Sequence, residues 1–466
     1  MVIEQYYTKC LSQGTYYIAS NGEAAIIDPL REVQQYIDRA QEDSATIKYI
    51  FLTHFHADFV SGHVDLAHKT GATIVIGPNA VTSYAFAKAE HEQIYNLGKI
   101  TVQLLHTPGH TMESSCYLLK DEDGKSKAIF TGDTLFIGDV GRPDLAVKSD
   151  LTKEDLAGHL YDSLRNIIMP LPDDIIVYPA HGAGSACGKN MSSETSDTLG
   201  NQKNTNYALD PKLTKQDFIK EVAHGIAPPP AYFPKNVWMN KGVNSSIDEI
   251  LRRGNAPISA KAFKTLAEDD EFLVLDVRSP QEYTKSHIPE SWFIGLDGQF
   301  APWVGSLIEN IDQKIVLVTP DGREAETVTR LARVGYDNTL GYLNGGMDAW
   351  INAGYEVETI KNVSAQEFVD GLENNSIENP VDVRKNGEYE NAHLQTVPHS
   401  PLSKIHQNKQ HFNPNSTYHI HCAGGYRSVI FASILKTKGV HDVVNVEGGF
   451  GAIKKAQLNS LTIEEK

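Results

Sequence analysis

The sequence predicts an α/β protein: one layered domain of strands and helices, followed by two copies of a smaller α/β module. Two observations carry that prediction. In the first half, four short apolar runs end abruptly in polar loops that carry His or Asp. After about residue 250 a different pattern, centred on Asp-Val-Arg, occurs twice. Length agrees with this, because 466 residues are too many for one hydrophobic core and fit two to four domains.

The four runs follow one grammar. Ile47–Leu52 leads into Thr53-His54-Phe55-His56-Ala57-Asp58, and Ile100–Leu105 into His106-Thr107-Pro108-Gly109-His110. Ala128–Phe130 leads into Thr131-Gly132-Asp133, and Ile175–Tyr178 into Pro179-Ala180-His181-Gly182. Short β-branched runs punctuated by Gly and Pro read as strands entering loops. Four such strands are expected to pool their His and Asp side chains along one edge of a sheet. Val33–Ala40 and Leu156–Ile168 carry apolar residues at helical spacing. The polar stretch Ser192–Asn206 is expected to close this domain, and Ala227-Pro228-Pro229-Pro230 to act as a linker or docking strap.

In the second half, Val274-Leu275-Asp276-Val277-Arg278 with Glu282-Tyr283 recurs as Val381-Asp382-Val383-Arg384 with Glu388-Tyr389. Each copy continues to an apolar run (Ile315–Val318; Tyr418–His421) and then a Gly-Gly pair (Gly345-Gly346; Gly448-Gly449). The domains expected are therefore residues 1–245, 246–358 and 359–466.

Acidic side chains outnumber basic ones by 59 to 42, for a formal charge of −17. That surface repels phosphate backbones and anionic lipid, so neither nucleic acid nor membrane is an expected partner. No run of about 18 apolar residues occurs, and the N-terminus lacks the basic and apolar regions of a signal peptide. The four cysteines, Cys10, Cys116, Cys187 and Cys422, form no CxxC pair. A disulfide scaffold or a structural zinc site is therefore not expected, and a reducing cytoplasm is.

His54, His56 and Asp58 pack three potential ligands into five residues, and His110, Asp133 and His181 make six. A loop can turn alternate side chains onto one ion, which a helix cannot do at this spacing. Any one of these histidines alone would read as an ordinary buried or surface residue. Six candidate ligands, four histidines and two aspartates, in matched positions read as a metal centre.

THxHxD, TPGHT, GDTLF and PAHG, in this order, resemble the motifs of the metallo-β-lactamase superfamily, which implies an αββα sandwich. Binuclear zinc hydrolases of that superfamily, such as glyoxalase II, carry a His directly after the motif's Asp, where this chain has Phe59. An apolar ring cannot ligate. The resemblance therefore points to the persulfide dioxygenases, whose single Fe(II) would be held here by His54, His110 and Asp133. Two imidazoles and a carboxylate on one face of an octahedral ion leave positions for O2 and a thiolate-like substrate. His56, Asp58 and His181 would orient ligands or hold water.

Gly138–Leu145 resembles the dioxygenases' Gly-Arg-x-Asp segment. Arg142 either pairs with a substrate carboxylate or is taken up by Asp144 and a backbone carbonyl. Ala183–Lys189 resembles a segment of multidomain persulfide dioxygenase–rhodanese fusions. Cys187, with Lys189 nearby, is either an exposed thiol of lowered pKa that carries a persulfide to the iron or a plain buried cysteine. Lys189 is a candidate substrate-binding cation.

His421-Cys422-Ala423-Gly424-Gly425-Tyr426-Arg427-Ser428 resembles the rhodanese active-site loop. Small residues let backbone N–H groups turn inward as an anion nest before a helix. That field favours the thiolate and then the persulfide of Cys422, with Arg427 buttressing the loop or attracting a sulfur donor. Phosphatase loops of related logic are one residue longer. Counting back from the Gly-Gly pair by the same distance, the first copy has Thr319-Pro320-Asp321-Gly322-Arg323-Glu324 and no thiol. It is expected to be catalytically silent and structural, and its Trp292, Phe300 and Trp303 pack either in its own core or against a neighbour.

The resemblance thus implies oxidation of a low-molecular-weight thiol persulfide by O2 to the sulfite level, with Cys422 supplying persulfide or forming thiosulfate. A homo-oligomer is compatible with it. The alternative is a binuclear zinc thioesterase with an accessory sulfurtransferase; a non-catalytic sulfur relay is a third class.

Overall fold

The computed structural model describes residues 1–147, 150–226, 228–459 and 461–465. The chain forms two compact units. One comprises Met1–Ile247 with Ala332–Gly335, and the other comprises Asp248–Leu331 with Tyr336–Lys466.

The first unit is a sandwich of two six-stranded sheets. One sheet has the order β1 (Val2–Thr8), β2 (Gln13–Ser20), β3 (Glu23–Ile27), β4 (Thr46–Leu52), β5 (Thr73–Ile76), β6 (Ala87–Lys88). The other contains β7 (Ile94–Leu97), β8 (Ile100–His106), β9 (Ser115–Lys120), β10 (Ser126–Gly132), β11 (Ile176–Pro179) and β12 (Asp197–Thr198), in sequence order across the sheet. Between the sheets lies an aromatic-rich core of Tyr16, Phe51, Val75, Tyr95, Val102, Tyr117 and Phe130. On the outer face of the first sheet, α1 (Gln34–Glu42) and α2 (His63–Thr70) bury Tyr36, Ala40 and Leu66 against Ile26, Ile50 and Ile74. On the outer face of the second, α3 (Lys153–Ser163), α4 (Leu199–Thr205) and α5 (Lys215–Ala223) bury Leu160, Leu199, Phe218 and Val222 against Leu118, Ile129 and Val177. The layers are αββα.

Two expectations are corrected here. The four strands that deliver His and Asp do not share one sheet: β4 lies in the first, whereas β8, β10 and β11 lie in the second. The side chains therefore pool at the common end of a sandwich, where two sheets supply them from opposite sides. The stretch Ser192–Asn206 does not close the domain, because it contains β12, which pairs antiparallel with β11, and α4, which Thr198 caps by accepting from the Asn201 N–H. Polarity misled because the edge strand buries neither of its residues fully and the short helix buries only Leu199 and Gln202. Of the expected linker, Ala227 lies outside the described residues; Pro228–Pro230 has no regular structure and leads into the helix Phe233–Lys241.

The second unit holds two parallel sheets. The first has the order β13 (Pro257–Ile258), β17 (Thr339–Leu343), β16 (Lys314–Val318), β14 (Phe272–Asp276), β15 (Trp292–Phe293). The second has the order β18 (Lys361–Val363), β22 (Val443–Val446), β21 (Tyr418–His421), β19 (Pro380–Asp382), with a separate antiparallel pair, β20 (Ala392–Leu394) and β23 (Ile463–Glu465). The repeat is exact in its polar frame. Arg278 donates to both oxygens of Asp276 and to the Ser286 carbonyl, as Arg384 does to Asp382 and the Ala392 carbonyl. Charges so deep are tolerable only as hydrogen-bonded pairs. Phe300 and Trp303 are buried in the core, while Trp292 lies 6.0 Å, ring to ring, from His406 of the second repeat.

Phe51 touches Tyr117, Tyr49 and Tyr95 at ring-centroid distances of 4.7, 5.5 and 5.5 Å and is fully buried. Phe51→Ala is expected to cost about 3–5 kcal/mol. A denaturant titration of the first unit's unfolding measures this.

Candidate metal centre and sulfur site

Where β4 ends, Asp28 fixes the start of the His-rich loop. Its Oδ1 accepts from the Thr53 N–H (2.8 Å) and its Oδ2 from the Thr53 hydroxyl (2.7 Å). With that hydroxyl committed as a donor, His54 Nδ1, 3.0 Å from Thr53 Oγ1, carries the proton and Nε2 is left as the ligand atom. His110 is oriented in the same way, since its Nδ1 lies 2.8 Å from the Arg142 carbonyl, which can only accept. Burial, followed by the neighbouring imidazoles, drives the pKa of His54 well below its usual value, so the ring is neutral.

His110 Nε2 and His54 Nε2 stand 3.4 and 3.8 Å from Asp133 Oδ2, and His181 Nε2 stands 3.6 Å from Asp133 Oδ1 and 3.5 Å from Asp58 Oδ2. These are spacings for donors arranged around an ion about 2.1 Å from each. Among the described residues, both Asp133 oxygens, His181 Nε2 and Asp58 Oδ1 are buried without a hydrogen-bond partner. Leaving that many polar atoms unsatisfied would be costly, so the residues present fit a metal ion. Three donor groups can form: His54–His110–Asp133, His56–Asp133–His181 and Asp58–His181–Cys187.

The structure thus brings His54, His56, Asp58, His110, Asp133, His181 and Cys187 into one buried cluster. The Phe59 ring does not join it as a donor; it packs on His56, centroid to centroid 4.3 Å, while His56 Nε2 stands 3.3 Å from Asp28 Oδ1. Gly141 is required beside the cluster, because a Cβ there would lie 1.9 Å from the Asp133 carbonyl oxygen and 3.1 Å from His110 Nδ1.

Arg142 is gripped by Asp144 through two hydrogen bonds of 2.6 and 2.7 Å and donates to the Ala186 carbonyl, the second of the two readings the sequence offered. Its backbone accepts from His110 and donates to the Cys187 carbonyl. Arg142 therefore holds a ligand and the thiol segment in one register. Of the two readings of Cys187, the structure gives the buried one: the side chain is 1 % exposed, and burial, with Asp58 and Asp133 adding, pushes its thiol well up. Lys189 does not offset this, since its ammonium donates to the carbonyls of Glu221 and His224 at the C-terminal end of α5.

Three residues escaped the sequence reading. Asp28 sits at a strand end with no motif around it. Asp139 accepts from the N–H groups of Val140, Lys189 and Asn190 and from the Tyr207 hydroxyl, which shapes the loop after His181. Asn240, from the helix Phe233–Lys241, donates to the carbonyls of His56 and Phe59 (2.8 Å each) and accepts from the Ser61 N–H (2.8 Å). No local pattern marks an asparagine that acts on a loop so far back in the chain.

In the second unit, Cys422 ends β21 and is 1 % exposed. Its Sγ accepts from the Gly425 N–H at 3.1 Å, with the Ser428 hydroxyl 3.6 Å away. Gly425, at φ +97°, turns that amide inward before the helix Tyr426–Lys436. Arg427 is paired bidentately with Glu388 (2.5 and 2.8 Å) and also interacts with Cys422. In the first repeat, Thr319 ends β16 at the matching place, and Glu324 Oε1 accepts from the Gly322 N–H and the Thr319 hydroxyl. That loop already contains its own anion.

A metal-binding αββα sandwich joined to two parallel-sheet modules, one with a cradled thiol, is the class that fold and site define. Residues 9–181 match the metallo-beta-lactamase superfamily, and residues 259–353 and 364–456 each match the rhodanese-like domain. A metallo-beta-lactamase from Staphylococcus aureus is 32% identical, with 74% of this chain and 98% of that one covered at a TM-score of 0.65. The chain belongs to the metallo-beta-lactamase superfamily, with two rhodanese-like domains following. ETHE1 from Myxococcus xanthus is 30% identical over 52% of this chain and 100% of that one, with a TM-score of 0.43. A probable hydroxyacylglutathione hydrolase of Schizosaccharomyces pombe is 32% identical over 161 residues, 34% of this chain, and the chain spans 58% of that relative's length. Among the described residues no helix is long and apolar enough to cross a membrane.

Asn240→Ala is expected to weaken metal binding about 10- to 100-fold, measured by chelator competition, with the far-ultraviolet circular dichroism unchanged. Hydrogen bonds from Arg427 hold the Glu388 carboxyl down to about 2 from 4.5. A carboxyl lowered in the folded state contributes stability that is complete above about 4.5 and is lost as pH falls towards 2. Acid unfolding of Glu388→Gln is expected to lack that segment of the pH dependence seen in the parent protein.

Proposed function

We propose that this chain oxidises a low-molecular-weight thiol persulfide with O2 and couples that reaction to sulfur transfer through Cys422, in a reducing cytoplasm. The observation that carries the reading is the content of the second half of the metal cluster. Phe59 stands where a binuclear hydrolase needs a further imidazole, and the sulfur of Cys187 lies among Asp58 and His181 instead. His54, His110 and Asp133 would hold one Fe(II). When bound, that iron supplies the one-electron chemistry that lets triplet O2 react with a closed-shell persulfide.

The chain's own residues do the rest. His54 and His110 present neutral Nε2 atoms because Thr53 and Arg142 accept from their Nδ1–H groups. Buried walls exclude bulk water, and the Asp144–Arg142 pair keeps Cys187 beside the cluster. In the balance, RSSH, O2 and H2O give RSH, sulfite and two protons, with the terminal sulfur oxidised and O2 reduced. In the second site, the amide of Gly425 stabilises the thiolate of Cys422 and then the terminal sulfur of its persulfide. Attack by sulfite on that sulfur forms thiosulfate and returns the thiolate. Attack by a small thiolate would instead supply persulfide to the first unit.

A second reading, a zinc-dependent thioesterase, is favoured by the His56–Asp133–His181 group and by the similarity to a hydroxyacylglutathione hydrolase. Metal content and O2 uptake separate the two. Anaerobically purified, Fe(II)-loaded protein is expected to hold one iron per chain and to consume O2 only with persulfide. His110→Ala and Asp133→Ala should each lower that rate at least 100-fold (about 2.7 kcal/mol), and Cys422→Ser should leave sulfite unconverted to thiosulfate. Two zincs per chain with thioester hydrolysis and no O2 uptake would overturn the proposal.

A further inference from the structure

The second unit contains a contact that the chemistry above does not use. Tyr426 is the first residue of the helix that follows the Cys422 loop, directly after the glycine whose amide meets the sulfur. Its side chain does not pack within its own repeat alone. The phenol donates to the Gly295 carbonyl of the first repeat at 2.7 Å, and the ring lies 5.9 Å from that of Phe293 in an edge-to-face arrangement. A Cβ at Gly298 would come within 2.2 Å of Tyr426 Cζ, and one at Gly295 within 3.1 Å of Cε2, so the socket is built from glycines. Further along the same helix, Ser433 Oγ accepts from the Phe293 N–H at 3.0 Å. Beside it, His406 Nε2 donates to the Leu307 carbonyl at 2.8 Å.

We propose that the silent first repeat sets the geometry of the Cys422 loop by gripping Tyr426, which acts as a positioning residue for sulfur transfer. The proposal rests on the sulfurtransferase reading of Cys422. Peptide geometry makes the connection short. Gly425, at φ +97°, joins the amide that meets the sulfur to the first residue of the helix, so a shift of the Tyr426 backbone would turn that amide away from Sγ. That amide lies 3.1 Å from the sulfur, beside the Arg427 guanidinium, and the Ser428 hydroxyl, 3.6 Å away, is engaged at 2.6 Å with Asn445 Oδ1. Burial pushes the Tyr426 phenol up, so it remains a proton donor. Thr319 and Glu324 stand where the first repeat would need a thiol and an open nest, whereas Gly295 and Gly298 wall the socket that takes Tyr426.

The test uses the full-length protein with Tyr426→Phe, Tyr426→Ala and Gly298→Ala, together with Cys422→Ser to assign the reacting thiol. The rate of Cys422 alkylation by iodoacetamide is followed against pH, with modification read at that residue by mass spectrometry. Sulfur transfer from thiosulfate to cyanide and persulfide-dependent O2 uptake are measured on the same preparations. Tyr426→Ala and Gly298→Ala are expected to move the alkylation midpoint upward by about half a unit or more and to lower kcat for transfer about three- to ten-fold. Tyr426→Phe, which keeps the ring, is expected to show a smaller change in the same direction, and O2 uptake should stay as in the parent. An unchanged alkylation profile in all three variants, each folded by near-ultraviolet circular dichroism, would overturn the proposal. Failure of the parent protein to transfer sulfur would instead sink the sulfurtransferase reading, while the alkylation profiles would still report on the grip.

Discussion

Asp133 buries a carboxylate with neither oxygen hydrogen-bonded among the described residues, and three imidazoles point nitrogen atoms at it from 3.4 to 3.8 Å. Such a cluster is unfavourable unless an ion neutralises it. The surrounding architecture can be understood as the means of holding it in place. β4 comes from one sheet and β8, β10 and β11 from the other, so the sandwich must form before the donors meet. Asp28, Arg142 and Asn240 then fix the loops by hydrogen bonds to backbone and ring atoms rather than by contributing to the donor set.

Much of this was legible in the sequence. The four strand-to-loop junctions, the two Asp-Val-Arg copies and the missing thiol at Thr319 are local signals, written within a few residues of each feature. What could not be read was which sheet each strand would join, since the same apolar run serves either sheet. The roles of Asp28, Asp139 and Asn240 were hidden for a related reason: each bonds across a chain separation that no spacing rule spans. The choice between an exposed and a buried Cys187 could not be made from sequence, because proximity to Lys189 suggested an acidic thiol, whereas folding turned the lysine towards the carbonyls at the C-terminal end of α5.

The two repeats show how one backbone frame carries different residues in the loop before its helix. Both keep the buried Asp–Arg pair, the stacked Tyr–His pair (4.0 Å for Tyr283–His287, 3.8 Å for Tyr389–His393) and a glycine of positive φ before the last helix. They differ where an anion would sit. Gly425 offers its amide to a sulfur, while Gly322 gives its amide to a glutamate two residues on. The first copy, with threonine where the second has cysteine, thus fills its own nest with a glutamate carboxylate.

The absence of a side chain at Gly298 has a consequence for how such proteins can be recombined. A ring from one module occupies the space that a methyl group would take in the other, so the two modules form a matched lock and key. A rhodanese-like module grafted from elsewhere would arrive with its own residue at the Tyr426 position and meet a socket cut for a different shape. The tandem pair, and not the single module, is the unit that can be exchanged intact.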